Sequence, residues 1–264
     1  MTSTSLHPTP AWHTMAREQL RAVALAIRAE MLFVVGLLIV FLVIAVVTAI
    51  RAANDPHMNV GFAYGAPATI PVSILALLLP YGVWRSEEPS RRDYHWSMPV
   101  EHSTHTLTKA FFGWMWLMLL VAAYVLFLLA LWANAAWIAG EHVVVSAPLW
   151  EWLVPFTSAT VAYLLGSLAV VGSDYPWRWI MGVVIGFLLV FAFLSAANLS
   201  DVRRMETTLL NGRYGLNAAI FGQVSDVSPY GRDPDVARWL GAAGLWGGLA
   251  GAGLWILSIK RVQR

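Results

Sequence analysis

Residues Ala110 to Gly140 read AFFGWMWLMLLVAAYVLFLLALWANAAWIAG, a run without a single Asp, Glu, Lys, Arg or His. At 1.5 Å per residue a helix needs about 20 residues to cross the ~30 Å hydrocarbon layer of a bilayer, so this run is long enough to span. A surface helix of a soluble domain would turn a polar face outward, and a strand of a transmembrane barrel would alternate polar and apolar residues over about 10 positions. Neither pattern is present. Working outward, five more windows lack every charged residue and His: Met31 to Ile50, Tyr64 to Trp84, Trp152 to Gly172, Trp179 to Ser200 and Trp239 to Ile259.

The 264-residue chain as a whole agrees, being 58% hydrophobic and 12% charged where a soluble domain carries about 25% charge. The expected fold is an all-α membrane protein with six transmembrane helices, near residues 31–50, 64–84, 110–137, 152–172, 179–200 and 239–259. Residues 1–30 form a cytoplasmic tail and interfacial helix, and residues 31–264 the transmembrane domain. The first window exceeds the 7–15 residue core of a signal peptide and reads as a permanent span. With no Cys, disulfides and thiolate metal sites are excluded. The net charge of +2 comes from Lys and Arg in loops and does not point to a nucleic-acid partner.

Those basic residues set the orientation. With the N-terminus inside, the cytoplasmic segments hold Arg17, Arg21, Arg28, Arg85, Arg91, Arg92, Lys109, Arg178, Lys260, Arg261 and Arg264. The external segments hold Arg51, Arg203, Arg204, Arg213, Arg232 and Arg238. The positive-inside bias therefore places both termini in the cytoplasm. Trp84, Trp137, Trp152, Trp177, Trp179, Trp239 and Trp255 lie near window ends, where an indole anchors in the headgroup layer.

Ahead of the first span, Trp12, Ala16, Leu20, Val23 and Ile27 recur at helical spacing, while Arg17, Arg21 and Arg28 line another face. Two readings stand: an interfacial helix with its apolar side in lipid and its Arg side on anionic headgroups or a partner, or a plain juxtamembrane helix. Pro67, Pro71 and Pro80 are expected to bend the second span. Gly182 with Gly186, Gly244 with Gly248 and Gly247 with Gly251 form small-xxx-small pairs that favour close helix approach. The external segment Asp201 to Arg238 is long, and its apolar middle, Leu216 to Val227, reads either as a re-entrant hairpin shielded by protein or as a surface loop.

No Asp, Glu, Lys, Arg or His lies within the windows, which argues against a proton relay, a haem held between helices by His, and an intramembrane protease. Glu87-Glu88-Pro89-Ser90-Arg91-Arg92 satisfies EExxxR, the first motif of the membrane-embedded CAAX-type proteases, but the His motifs that family also needs are missing. His95, His102 and His105 cluster with Glu101 without a third well-spaced ligand, so solvated or partner-contacting imidazoles are the simpler reading.

The segment between the second and third spans mixes charges of both signs: Arg85, Glu87, Glu88, Arg91, Arg92, Asp93 and Tyr94, then Met98-Pro99-Val100, then Thr108-Lys109 at the head of the next window. Pro89 suits the first turn of a short helix and Pro99 its end. This run resembles the cytoplasmic loop of ABC-2 type exporter permeases, in which Arg and paired Glu precede a short helix ending in Leu-Pro-Val, with Lys opening the third span. Val227-Ser228-Pro229-Tyr230 is similar to that family's Ser-Pro-Phe/Tyr element before its last span. The loop departs from the pattern at Pro89 to Arg92, where Gly-Thr is usual, and at Glu101-His102, where Ser-Arg is usual.

The resemblance implies a permease subunit of an ATP-driven exporter in a prokaryotic plasma membrane. It implies a second permease copy and a cytoplasmic ABC ATPase dimer as partners, with ATP and Mg bound by the ATPase and no cofactor here. Glu87, Glu88, Arg91, Arg92, Asp93, Tyr94, Met98 and Pro99 would form the ATPase-coupling loop. The chain has no GxxxxGK[ST] of its own and no catalytic role is expected of it. Uncharged, aromatic-rich spans suit a lipid, glycan, peptide or apolar drug as substrate. The rival reading is a structural or assembly subunit of a larger membrane complex. A membrane enzyme using the loop His and Glu is a third.

Overall fold

The structure is a computed structural model that describes residues 12–53, 66–85, 102–139, 151–173, 178, 182, 185–186, 189, 214–221 and 236–260. Among these residues the fold is all-helical, without a strand. The helices are α1 (Trp12–Ala26), α2 (Arg28–Ala53), α3 (Ala66–Trp84), α4 (His102–Ala139), α5 (Val154–Gly172), the short α6 (Leu216–Phe221) and α7 (Val236–Lys260). A 3-10 turn, Glu151–Leu153, leads into α5.

Among the described residues, three helices are long and apolar enough to cross a membrane, over Ser103–Leu131, Val154–Gly172 and Trp239–Ile259, with a shorter apolar stretch at Pro71–Trp84. The first window of the sequence lies on α2 and the second on α3. The fifth, 179–200, lies outside the described residues apart from isolated positions.

Helix α5 is the centre of the bundle. It packs against α3, α4, α6 and α7, and most of its span is buried. It starts with Pro155 in its first turn, where the missing N–H has no helical acceptor to lose. Its inner face is small or hydroxylated: Ser158, Ala159, Ala162, Gly166 and Ser167 are all buried. Between helices in lipid there is no gain from hiding apolar surface, so close backbone approach and dispersion must hold the pair together. Gly166 provides that approach. A Cβ there would run into the backbone carbonyl of Leu77 and stand 3.1 Å from Pro80 Cγ.

Two clusters fix how the helices run. Ala110, Val171 and Leu254 meet beside Trp84 and Leu257, so α3, α5 and α7 finish where the apolar run of α4 begins. Val154 and Trp239 meet beside Val236, so α5 and α7 start together at the opposite end. Three helices therefore run one way and α4 the other. Helix α1 completes the core: Val23 and Ile27 are fully buried with Leu79, Val83, Leu117 and Val121.

Candidate functional site

The chain between α3 and α4 leaves at Arg85 and returns at His102, the first residue of α4. Glu87, Glu88, Arg91, Arg92, Asp93, Tyr94, Met98 and Pro99 all lie outside the described residues, as do His95 and Glu101. What the structure describes is the rigid frame that receives this segment.

That frame is α4, 38 residues or ~57 Å long, well beyond one bilayer crossing. It begins at His102, eight residues before the uncharged window, so Thr106, Thr108 and Lys109 belong to the helix and are buried in it. Its first turns are fastened to two neighbours. The Tyr163 hydroxyl of α5 donates to the Ala110 carbonyl at 2.9 Å. Trp114 Nε1 donates to Thr160 Oγ1 at 3.1 Å, and that hydroxyl donates on to the Phe156 carbonyl at 2.8 Å. Trp116 Nε1 reaches the Leu20 carbonyl of α1 at 3.4 Å. Gly113 makes room for the phenol, because a Cβ at that position would collide with the Tyr163 hydroxyl. The start of α4 is thus hydrogen-bonded to α5 and α1 within its first four turns.

The same end of the bundle gathers basic residues: Arg17 and Arg21 on α1, Arg28 at the start of α2, Arg85 after α3, Lys109 in α4 and Lys260 closing α7. Arg17, Arg21 and Arg28 are exposed. Trp12 is the first residue of α1. The apolar side of α1 differs from the lipid-facing expectation: Val23 and Ile27 are covered by α3 and α4, because those helices offer an apolar groove beside Leu79 and Leu117. Among the described residues, no three His, Asp or Glu side chains are grouped as a metal site would need.

At the opposite end a second feature stands out. Leu216–Phe221 forms α6, whose Ala218 and Ala219 are buried against Val161 of α5 and Ala242 of α7. Val161 lies seven residues into α5, so α6 reaches ~10 Å past the start of that helix. Ser73 of α3 donates to the Ile220 carbonyl, and Trp246 Nε1 donates to the Tyr214 carbonyl at 2.9 Å, so main-chain oxygens of the descending segment are satisfied by span side chains. Of the two readings of Leu216 to Val227, shielding holds where protein covers Ala218 and Ala219, with Leu216 and Ile220 half-buried. Residues 222–227 lie outside the described residues.

Among the described residues, a Cβ at Gly182, Gly186, Gly244, Gly248 or Gly251 would meet nothing within 4 Å, and one at Gly247 would make only an ordinary contact with Val161. The close approaches are instead at Gly113, Gly166, Gly241 and Gly253, single small residues set opposite a bulky partner. Trp239, expected as a headgroup anchor, is buried against Val154 because α5 and α7 start side by side. Trp137 and Trp255 are exposed as an anchor requires.

Comparison of the chain with protein-family models, with curated proteins and with solved structures found no match.

Proposed function

We propose that the chain is the six-span permease subunit of an ABC-2 type ATP-driven exporter, acting with a second permease copy and a cytoplasmic ABC ATPase dimer in a plasma membrane. The observation that carries this reading is the loop Arg85 to Lys109. Its paired Glu, its Met98-Pro99-Val100 and its Lys109 resemble the family's coupling loop. The described ends of that loop, Arg85 and His102, lie at the bundle end rich in basic residues, the cytoplasmic end by the positive-inside rule.

The mechanism is conformational coupling. Closure of the ATPase dimer around ATP would push the segment between Arg85 and His102, which leads into α4. Because α4 is one continuous rod tied to α5 and α1, the push becomes a rigid-body shift of packed helices. Packed interfaces respond by switching between discrete arrangements, which is how a small displacement opens a pathway on the far side. The hydroxyl-rich, uncharged inner face of α5 suits an amphipathic or apolar cargo such as a lipid, a lipid-linked glycan, a peptide or an apolar drug. Ions would need intramembrane charge that the windows lack.

Isolation of the full chain from its native membrane in mild detergent tests the reading. An ATP-hydrolysing cytoplasmic subunit should copurify, with activity that rises when the permease is present. A chain that brings down only other membrane subunits, with no nucleotide-binding component, is a structural subunit instead.

A further inference from the structure

Arg17, Arg21, Leu25, Arg28 and Leu32 follow one another at steps of four, four, three and four residues, the spacing of one helix face. Helical hydrogen bonds run across the junction of α1 and α2, from Ile27 N–H to Val23 O at 3.0 Å and from Met31 N–H to Ile27 O at 2.9 Å, so the face keeps its phase. Every residue of the row is exposed, Leu25 at 67% and Leu32 at 64%. The same row continues up α2 through Val35 and Ile39 to Ile50, all exposed.

We infer that this row is a binding surface for an anionic phospholipid, with the phosphate on the guanidinium groups of Arg17, Arg21 and Arg28 and an acyl chain along Leu25, Leu32 and the ridge of α2. Continuity carries the choice of partner. At 26 residues, ~39 Å, α2 is long enough to span, and acyl chains would cover an apolar ridge on such a helix, with the three cations at its end, where hydrocarbon gives way to headgroups. Guanidinium pairs with phosphate oxygens in a fixed two-point geometry while its methylene stem lies on apolar surface. Glu18, exposed at the edge of the row about 60° round the helix from Arg21, offsets one of the three cations, and the row keeps a net positive charge. Leu25, between Arg21 and Arg28, would have no reason to face water but lies naturally among glycerol and upper acyl carbons. The inference rests on the chain being a membrane protein and is independent of the transporter reading.

The natural absence of Cys allows a direct test on the full chain. Ala22→Cys, an exposed position next to the row, is labelled with bimane, and the protein is reconstituted in vesicles containing doxyl-labelled phosphatidylglycerol or doxyl-labelled phosphatidylcholine. Each basic group near an anionic surface is worth about a fivefold change in partition, so the anionic lipid should quench at least about fivefold more strongly. That preference should shrink several-fold between 0.1 and 0.5 M salt as screening sets in. It should fall to near one in R17Q/R21Q/R28Q, and survive in part in R17K/R21K/R28K, which keeps the charge. Equal quenching by both lipids in the unsubstituted row overturns the inference, as does an undiminished preference in the Gln variant. Absence of quenching by either lipid shows the face covered by protein or water and also overturns it. Loss of the preference on adding 10 mM inorganic phosphate marks a soluble-anion site and counts against a lipid.

Discussion

The Tyr163 hydroxyl of α5 donates to the Ala110 carbonyl of α4 across the gap left by Gly113. Phenol, carbonyl and missing side chain form one unit, since the hydrogen bond exists only because residue 113 has no Cβ. Gly113→Ala should lower thermal stability in detergent by about 1–3 kcal/mol, the usual range for overpacking. Tyr163→Phe should cost about 1 kcal/mol for the lost bond. Because the hydroxyl is the atom the new methyl strikes first, the double variant should be more stable than the sum of the two losses predicts. Simple additivity in the thermal melts would contradict this geometry.

Gly166 makes a sharper case, because the obstacle there is the backbone of Leu77 and cannot rotate away. Gly166→Ala should force α3 and α5 apart and destabilise by about 2 kcal/mol or more. Gly248→Ala, where a Cβ would meet nothing within 4 Å among the described residues, should leave the monomer's melting temperature unchanged. Equal effects at the two sites would show that the close contact is not where the structure places it.

The seat of α6 is open to thiol chemistry. A lone Cys at Ile220, half-buried and held by Ser73, should react with an impermeant maleimide much more slowly than one at the exposed Tyr214. Adding Ser73→Ala frees the Ile220 carbonyl and should speed labelling at Ile220. Rates equal from the outset would place Leu216–Phe221 on the surface.

Both termini are expected in the cytoplasm, since α1 and the finishing ends of α3, α5 and α7 share the bundle end rich in basic residues. Reporter fusions after Thr2 and Arg264 should both give cytoplasmic signals. An external signal from either would break the six-span topology.

These contacts also show what the sequence made legible. Long uncharged windows mark helices because backbone groups in hydrocarbon must bond within their own segment, and five of the windows fall on α2, α3, α4, α5 and α7. Helix limits were harder. The polar turn His102 to Lys109 belongs to α4 because neighbours bury it, and absence of charge is blind to burial by neighbours. Small-residue pairs such as Gly244 with Gly248 are visible along one helix, but a close approach depends on what stands opposite. Gly113 and Gly166 therefore had no signature until Tyr163 and Leu77 were placed beside them. Periodicity put Val23 and Ile27 on a different face from Arg17, Arg21 and Arg28, and the first pair is buried and the arginines exposed, yet it could not tell a protein groove from lipid as the cover for Val23 and Ile27.

The central claim, that Arg85 to Lys109 couples this chain to an ATPase, is tested most directly by reversing charge at its paired carboxylates. Glu87→Arg with Glu88→Arg adds positive charge on the cytoplasmic side, so insertion and topology should be preserved. A desolvated contact would lose about 2–5 kcal/mol, enough to strip the partner during purification. The measurement is ATPase bound per permease and its stimulated hydrolysis rate, in unaltered chain and double variant side by side. The account predicts a bound, stimulated ATPase with the unaltered chain and near-complete loss of both with the variant at normal membrane levels. An ATPase that stays bound and fully stimulated by the variant, or none with the unaltered chain, would contradict it.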